Sequence, residues 1–228
     1  MKALLLLAAC ALAATAAAPA PRIRIVALGD STTAGTPFFR SPLESPPDGE
    51  GDVAAPFPSA LAALRPDWEV LNRGVNGERA DEIRARFERD VLGAKPRFAI
   101  ILAGVNDVYQ ERDLKETEAD LSWMYRRAAA AGIRPVAASV MPFTRATAEQ
   151  SARLRELNAW ISRAAAAEGY PFCDLHAAVA AKGNSDALSG SPDGLHPDRA
   201  AYRAAARALA AAIGAALKET RSPATSSR

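Results

Sequence analysis

The chain has 228 residues, 24% charged and 49% hydrophobic, enough for one sizeable core without a disulfide or metal staple. Lysine and arginine total 28 against 26 aspartates and glutamates, a formal net charge of +2, which leaves no extended basic surface for nucleic acid. With only two histidines (His176, His196) and two cysteines (Cys10, Cys173), a cysteine–histidine metal site is excluded, and imidazole chemistry is confined to two positions.

Met1-Lys2, the unbroken apolar run from Ala3 to Ala14 and the small residues up to Ala18 form the pattern of a signal peptide over residues 1–20. That run falls short of the roughly 20 residues needed to cross a bilayer, so the mature chain is expected to have no transmembrane helix. Small residues at Ala14, Ala16 and Ala18 offer ordinary cleavage sites. Leu7-Ala8-Ala9-Cys10 offers a second route, a lipoprotein box that would leave Cys10 as a lipid-bearing N-terminus. Either route exports the chain, to the periplasm or beyond.

Ile23 to Leu28 reads as the first strand of a domain spanning residues 21–217. The stretch from Thr36 to Ala55 is rich in proline, glycine and acid; a loop of that length is either functional or disordered. Trp68 to Leu71 reads as a second strand, and Ile83, Phe87 and Val91 mark a helix behind it. Phe98 to Ala103 is almost wholly apolar, as a strand buried on both faces must be. Leu114, Leu121, Tyr125 and Ala128 form one helical stripe, followed by a strand from Arg134 to Val140. Leu154, Leu157, Ile161 and Ala164 form another, followed by a short strand from Tyr170 to Cys173. Tyr202, Ala205, Leu209, Ile213 and Leu217 give the last helix its apolar face, and residues 218–228 read as a disordered polar tail. Such alternation implies an α/β fold, a parallel sheet between helical layers.

In open α/β sheets, ligands bind beyond the carboxyl ends of the strands. Four unusual segments fall at that edge: Gly29-Asp30-Ser31-Thr32, Asn72 to Gly77, Gly104-Val105-Asn106-Asp107, and Asp193-Gly194-Leu195-His196. Ser31 supplies a hydroxyl at a strand-to-helix turn, and His196 a base suited to neutral pH. Asp193 lies three residues before His196, so in a helical turn the carboxylate can hold the imidazole. The Asn106 amide, the Gly77 N–H and the Ser31 N–H together make three donors for an oxyanion. Nucleophile, base, orienting acid and charge stabilisers are the set that acyl transfer needs.

Each segment alone has an ordinary structural explanation as a turn or a helix cap. All of them converging on one sheet edge do not. The first loop lacks G-x-x-x-x-G-K-[ST] and G-x-G-x-x-G, so neither a phosphate loop nor a dinucleotide fingerprint is present. Thr33 stands where the G-x-S-x-G elbow would have its second glycine. His176 has no carboxylate three residues before it and reads as a surface or cap residue. Phe38, Phe39, Met141 and Phe143 follow strands one and four closely and are candidates to line a substrate pocket.

In these four segments the chain resembles the SGNH (GDSL-type) hydrolases, a family of esterases, lysophospholipases, thioesterases and carbohydrate deacetylases. The resemblance runs from about Arg22 to Leu217, with threonine replacing the usual leucine at position 32. It implies Ser31 as nucleophile, Asn106 as side-chain oxyanion donor and Asp193 with His196 as the acid–base pair. Gly77 is the better match for the oxyanion glycine, with Gly74 the alternative. It further implies a flavodoxin-like three-layer sandwich with about five parallel strands, no metal and no cofactor. The expected substrate is a small ester, acylated sugar or lipid, and the expected activity ester hydrolysis by an exported serine esterase. Carbohydrate O-deacetylation is the alternative, then thioester or lysophospholipid hydrolysis. A catalytically silent carbohydrate- or lipid-binding module is the non-enzymatic one.

Overall fold

The computed structural model describes residues 22–219; the leader over residues 1–20, with Cys10, and all but the start of the expected tail lie outside the described residues. In chain order the elements are β1 (Ile23–Gly29), α1 (Ser31–Ala34), β2 (Phe39–Arg40), β3 (Glu50–Gly51), α2 (Phe57–Leu64) and β4 (Trp68–Gly74). Next come α3 (Ala80–Ala85), a π-helical turn (Glu88–Leu92), β5 (Phe98–Leu102), α4 (Val105–Tyr109), α5 (Leu114–Ala130) and β6 (Arg134–Ala138). The chain continues through α6 (Ala148–Glu168), β7 (Phe172–Cys173), α7 (Leu175–Val179), β8 (Ala180–Ala181), β9 (Asn184–Leu188) and α8 (Arg199–Glu219).

Five strands form one parallel sheet in the order β4-β1-β5-β6-β7. Side chains alternate across it. Val26, Leu28, Ala99 and Ile101 face the layer of α3, α5 and α6. Ile25, Ala27, Phe98 and Ile100 face the layer of α2, α7 and α8. Burying each large aliphatic side chain contributes roughly 1.5–3 kcal/mol, so both layers are held chiefly by this alternation. The expected α/β/α sandwich is the observed fold.

Several boundaries differ from the sequence reading, each for a physical reason. β4 continues past Leu71, because Asn72, Arg73 and Gly74 still pair with Ala27, Leu28 and Gly29. β6 stops before Val140, whose N–H donates to Asn158 Oδ1 at 2.7 Å and whose carbonyl accepts from Asn158 Nδ2 at 2.9 Å. A side-chain amide there replaces the next strand. α8 runs two residues into the expected tail, and Arg134 meets Glu219 at 2.8 Å.

The stretch from Thr36 to Ala55 is a structured excursion. β2 and β3 pair antiparallel within it. Ser41 Oγ donates to the Gly74 carbonyl at 2.5 Å, and Glu44 Oε1 accepts from Asn76 N at 3.0 Å. The Tyr202 hydroxyl on α8 donates to the Thr36 carbonyl at 2.7 Å. The excursion thus braces the end of β4. Gly74 itself packs so closely that an added Cβ would lie 2.1 Å from Ala34 N, which is why α1 can lie across β4 only over a glycine.

Candidate active site

β1 lies between β4 and β5, so the chain leaves in opposite directions on its two sides and a crevice opens at the carboxyl edge. Ser31 opens α1 at this point, and Asp30 caps that helix by accepting from Thr32 N at 2.9 Å and from its hydroxyl at 2.7 Å. Asn106 sits in the first turn of α4, and Gly77 follows β4. His196 reaches the edge from the segment before α8.

Ser31 Oγ lies 3.0 Å from His196 Nε2, and His196 Nδ1 lies 2.7 Å from Asp193 Oδ2. The helical turn expected between Asp193 and His196 is not the geometry adopted. Gly194 has φ +78°, and Asp193 Oδ1 instead accepts from the backbone N–H groups of Leu195 and His196, each at 2.8 Å. One carboxylate oxygen therefore folds the loop while the other orients the imidazole. Burial works against ionising Asp193, but the hydrogen bonds from the His196 ring and these two N–H groups outweigh it and hold its pKa at about 2.

Gly74 and Gly77 are separated by what their N–H groups do. Gly74 N donates to Asn72 Oδ1 at 3.0 Å and is spent. Gly77 has φ +77° and nothing within 4 Å of where a Cβ would stand. Among the described residues, the N–H groups of Ser31 and Gly77 have no partner. Asn106 Nδ2 donates to the Glu78 carbonyl at 2.8 Å, which fixes the amide and leaves its second hydrogen free.

A cleft of about 260 Å³ opens over these groups, with Ser31, Gly77, Asn106 and His196 in its lining and Val105, Tyr109, Phe143 and Leu195 as apolar walls. Of the four pocket candidates only Phe143 lines it. Met141 is buried in the layer under α8. Phe39 is buried under the excursion against Gly49, and Phe38 lies beneath the Arg199 guanidinium, 3.9 Å from its ring. These rings follow a chain that has already turned away from the cleft. Tyr109, 54% exposed and edge-on to Phe143 with ring centroids 6.1 Å apart, takes a place that its i+3 offset from Asn106 could have revealed. His176 is apart from the cleft; its Nδ1 faces the Val140 carbonyl at 3.1 Å.

Two buried acids support the site. Asp107, fully buried, accepts from Ala80 N, Thr117 Oγ1 and Arg112 Nη1, each at 2.9 Å, and so ties α3, α4 and α5 together behind Asn106. Asp30 is also buried, and its Oδ2 has no partner among the described residues. Burial pushes its pKa up to about 6, against the opposing hydrogen bonds from Thr32 and the nearby His196. An aspartate with a raised folded-state pKa stabilises the fold fully below its unfolded pKa near 3.8 and loses that contribution as pH rises through about 6. Asp30→Asn keeps the cap and removes the charge. It is expected to unfold at higher denaturant than the wild type at pH 7, by up to about 3 kcal/mol, with the gap closing at pH 4. Urea titrations at the two pH values measure this.

The amino-acid sequence matches the GDSL-like lipase/acylhydrolase family over residues 27–204. Among curated proteins, it is 34% identical over 77 residues to an acetylxylan esterase of Geobacillus stearothermophilus, covering 30% of this chain and 35% of that protein. It is 33% identical over 85 residues to the uncharacterized lipoprotein YqeF of Bacillus subtilis, covering 36% of this chain and 31% of that one. The matched stretches span about a third of these relatives. Among solved structures, the acetylxylan esterase Axe2 of G. stearothermophilus superposes with a TM-score of 0.67 at 22% identity, covering 85% of this chain and 95% of that one. A GDSL-like lipase of Bacteroides thetaiotaomicron gives 0.65 at 23% identity, covering 86% and 88%. The fold is thus one shared with both of these structures. The chain belongs to the GDSL-like lipase/acylhydrolase family.

Proposed function

We propose that this protein is an exported serine esterase that hydrolyses carboxylic esters through an acyl-enzyme. The observation that carries the reading is the relay from Ser31 Oγ through His196 to Asp193, at 3.0 and 2.7 Å. Ser31 Oγ attacks the ester carbonyl carbon while its proton passes to His196 Nε2. The carbonyl electron pair moves to oxygen, and the oxyanion is held by the Ser31 N–H, the Gly77 N–H and the free Asn106 hydrogen. Collapse expels the alcohol, which takes the proton from His196. Water then attacks the acyl carbon, gives its proton to His196, and the second collapse returns that proton to Ser31 and releases the acid. Asp193 remains ionised throughout and stabilises the imidazolium.

Within this chemistry, short acyl groups on a carbohydrate alcohol are the best-supported substrates. The cleft is small with apolar walls suited to a short acyl group, and the exposed Tyr109 in its lining offers a face to a sugar. The similarity to acetylxylan esterases supports the same reading. The test compares acetate release from acetylated xylo-oligosaccharides with hydrolysis of p-nitrophenyl esters of increasing chain length. Acetyl substrates are expected to dominate; a preference for long acyl chains would move the assignment to lipid esters. The apolar leader supports export, as does the similarity to a protein named as a lipoprotein. Among the described residues, no helix is long and apolar enough to cross a membrane. The intact mass of the mature protein distinguishes ordinary cleavage from lipidation at Cys10.

A further inference from the structure

We propose that Arg86 is a positioning residue for ester hydrolysis: its buried guanidinium sets the spacing of the segments that carry the three oxyanion donors. The proposal rests on the ester reading above. Arg86 is only 8% exposed and ends α3. Its Nη2 donates to the Gly29 carbonyl at 2.8 Å, at the end of β1 two residues before Ser31. Nη1 donates to the Arg73 carbonyl at 2.9 Å, near the end of β4. Nε donates to Glu78 Oε2 at 2.6 Å, on the residue after Gly77. The Glu78 carbonyl in turn accepts the Asn106 amide at 2.8 Å. One planar cation thus touches the segments of Ser31 and Gly77 directly and that of Asn106 through a single intermediate. Asp90, brought alongside by the π-helical turn, accepts a second bond from Nη1 at 2.8 Å.

A cation in this place has an ordinary alternative, as the structural partner of Asp90 and a clamp on strand ends. The two roles differ in what they predict. A clamp lost lowers stability; donors displaced by a fraction of an ångström lower the rate of the chemical step in molecules that are still folded. Lysine preserves the charge but lacks the planar fork that reaches four acceptors in different directions.

The test compares wild type and Arg86→Lys in steady-state hydrolysis of p-nitrophenyl acetate, well below the melting temperature of each. Ile161→Ala serves as the destabilised control, since it hollows the layer under α6 away from the cleft. Arg86→Lys is expected to lose roughly 10- to 100-fold in kcat with KM within about threefold, while Ile161→Ala stays within about twofold of wild type. If Arg86→Lys does not fold, Glu78→Gln replaces it; weakening the same contact is expected to lower kcat severalfold, again with little change in KM. A folded Arg86→Lys, or in its place Glu78→Gln, with wild-type kcat overturns the proposal while leaving the ester reading intact. A wild type without Ser31-dependent turnover overturns the ester reading, and the proposal with it.

Discussion

Ser31→Ala is expected to lose at least about 10⁴-fold in kcat on any ester the wild type cleaves, with its melting temperature unchanged. Among the described residues the hydroxyl's one partner is His196, and its removal leaves the cap from Asp30 to Thr32 in place. Alanine is also the residue a short helix tolerates best. His196→Ala is expected to cost about as much, and the double variant no more than either single one, because the two side chains act as one unit. Labelling by a fluorophosphonate gives an independent readout: wild type reacts at Ser31, and neither variant reacts appreciably. A Ser31→Ala variant with wild-type turnover would sink the mechanism, and a folded wild type that neither labels nor hydrolyses esters would leave a binding module.

The second large effect is expected at Asn106. Asn106→Ala removes the side-chain donor, and kcat should fall by roughly 10²–10³-fold, or about 2.7–4 kcal/mol of transition-state stabilisation, with KM little changed. On the proposed mechanism the asymmetry follows from timing, because the second amide hydrogen is aimed at the oxygen as it becomes an anion. The same truncation frees the Glu78 carbonyl, so a small loss of melting temperature accompanies it. Measuring kcat and KM separately checks this. A variant in which only KM rises would mean that Asn106 binds the ground state and that the oxyanion lies elsewhere.

Much of the architecture was legible because the sheet is buried on both faces. Phe98 to Leu102 carries no polar residue, and its strand identity follows directly. The polar end of β4 was hidden for the opposite reason: Asn72, Arg73 and Gly74 look like loop, yet their pairing with β1 is set by backbone hydrogen bonds. The excursion from Thr36 to Ala55 was unreadable because its ties run to Gly74, Asn76 and Tyr202, all distant in sequence. Ser31 and Asn106 could be picked out because each stands in a compact segment just after a strand, and Asp193 with His196 because they share one just before the last helix. Arg86 could not, since two of its four acceptors are main-chain carbonyls that leave no trace in residue types. The aromatic wall was half legible: Phe143 follows β6, whereas Phe38 and Phe39 follow β1 in sequence but not in space.

The bond between Ser31 and His196 joins residues 165 positions apart, and the imidazole is delivered by the loop that leads into α8. That loop is held from one side by Arg145, whose N–H donates to the Gly194 carbonyl at 3.0 Å, and from the other by α8, docked on the face of β1 and β5. On the proposed mechanism a growing polypeptide therefore carries the Ser31 hydroxyl without its base, and becomes competent when the last loop and the closing helix seat. In a refolding experiment, recovery of turnover would time that final docking event, later than any signal from the early strands.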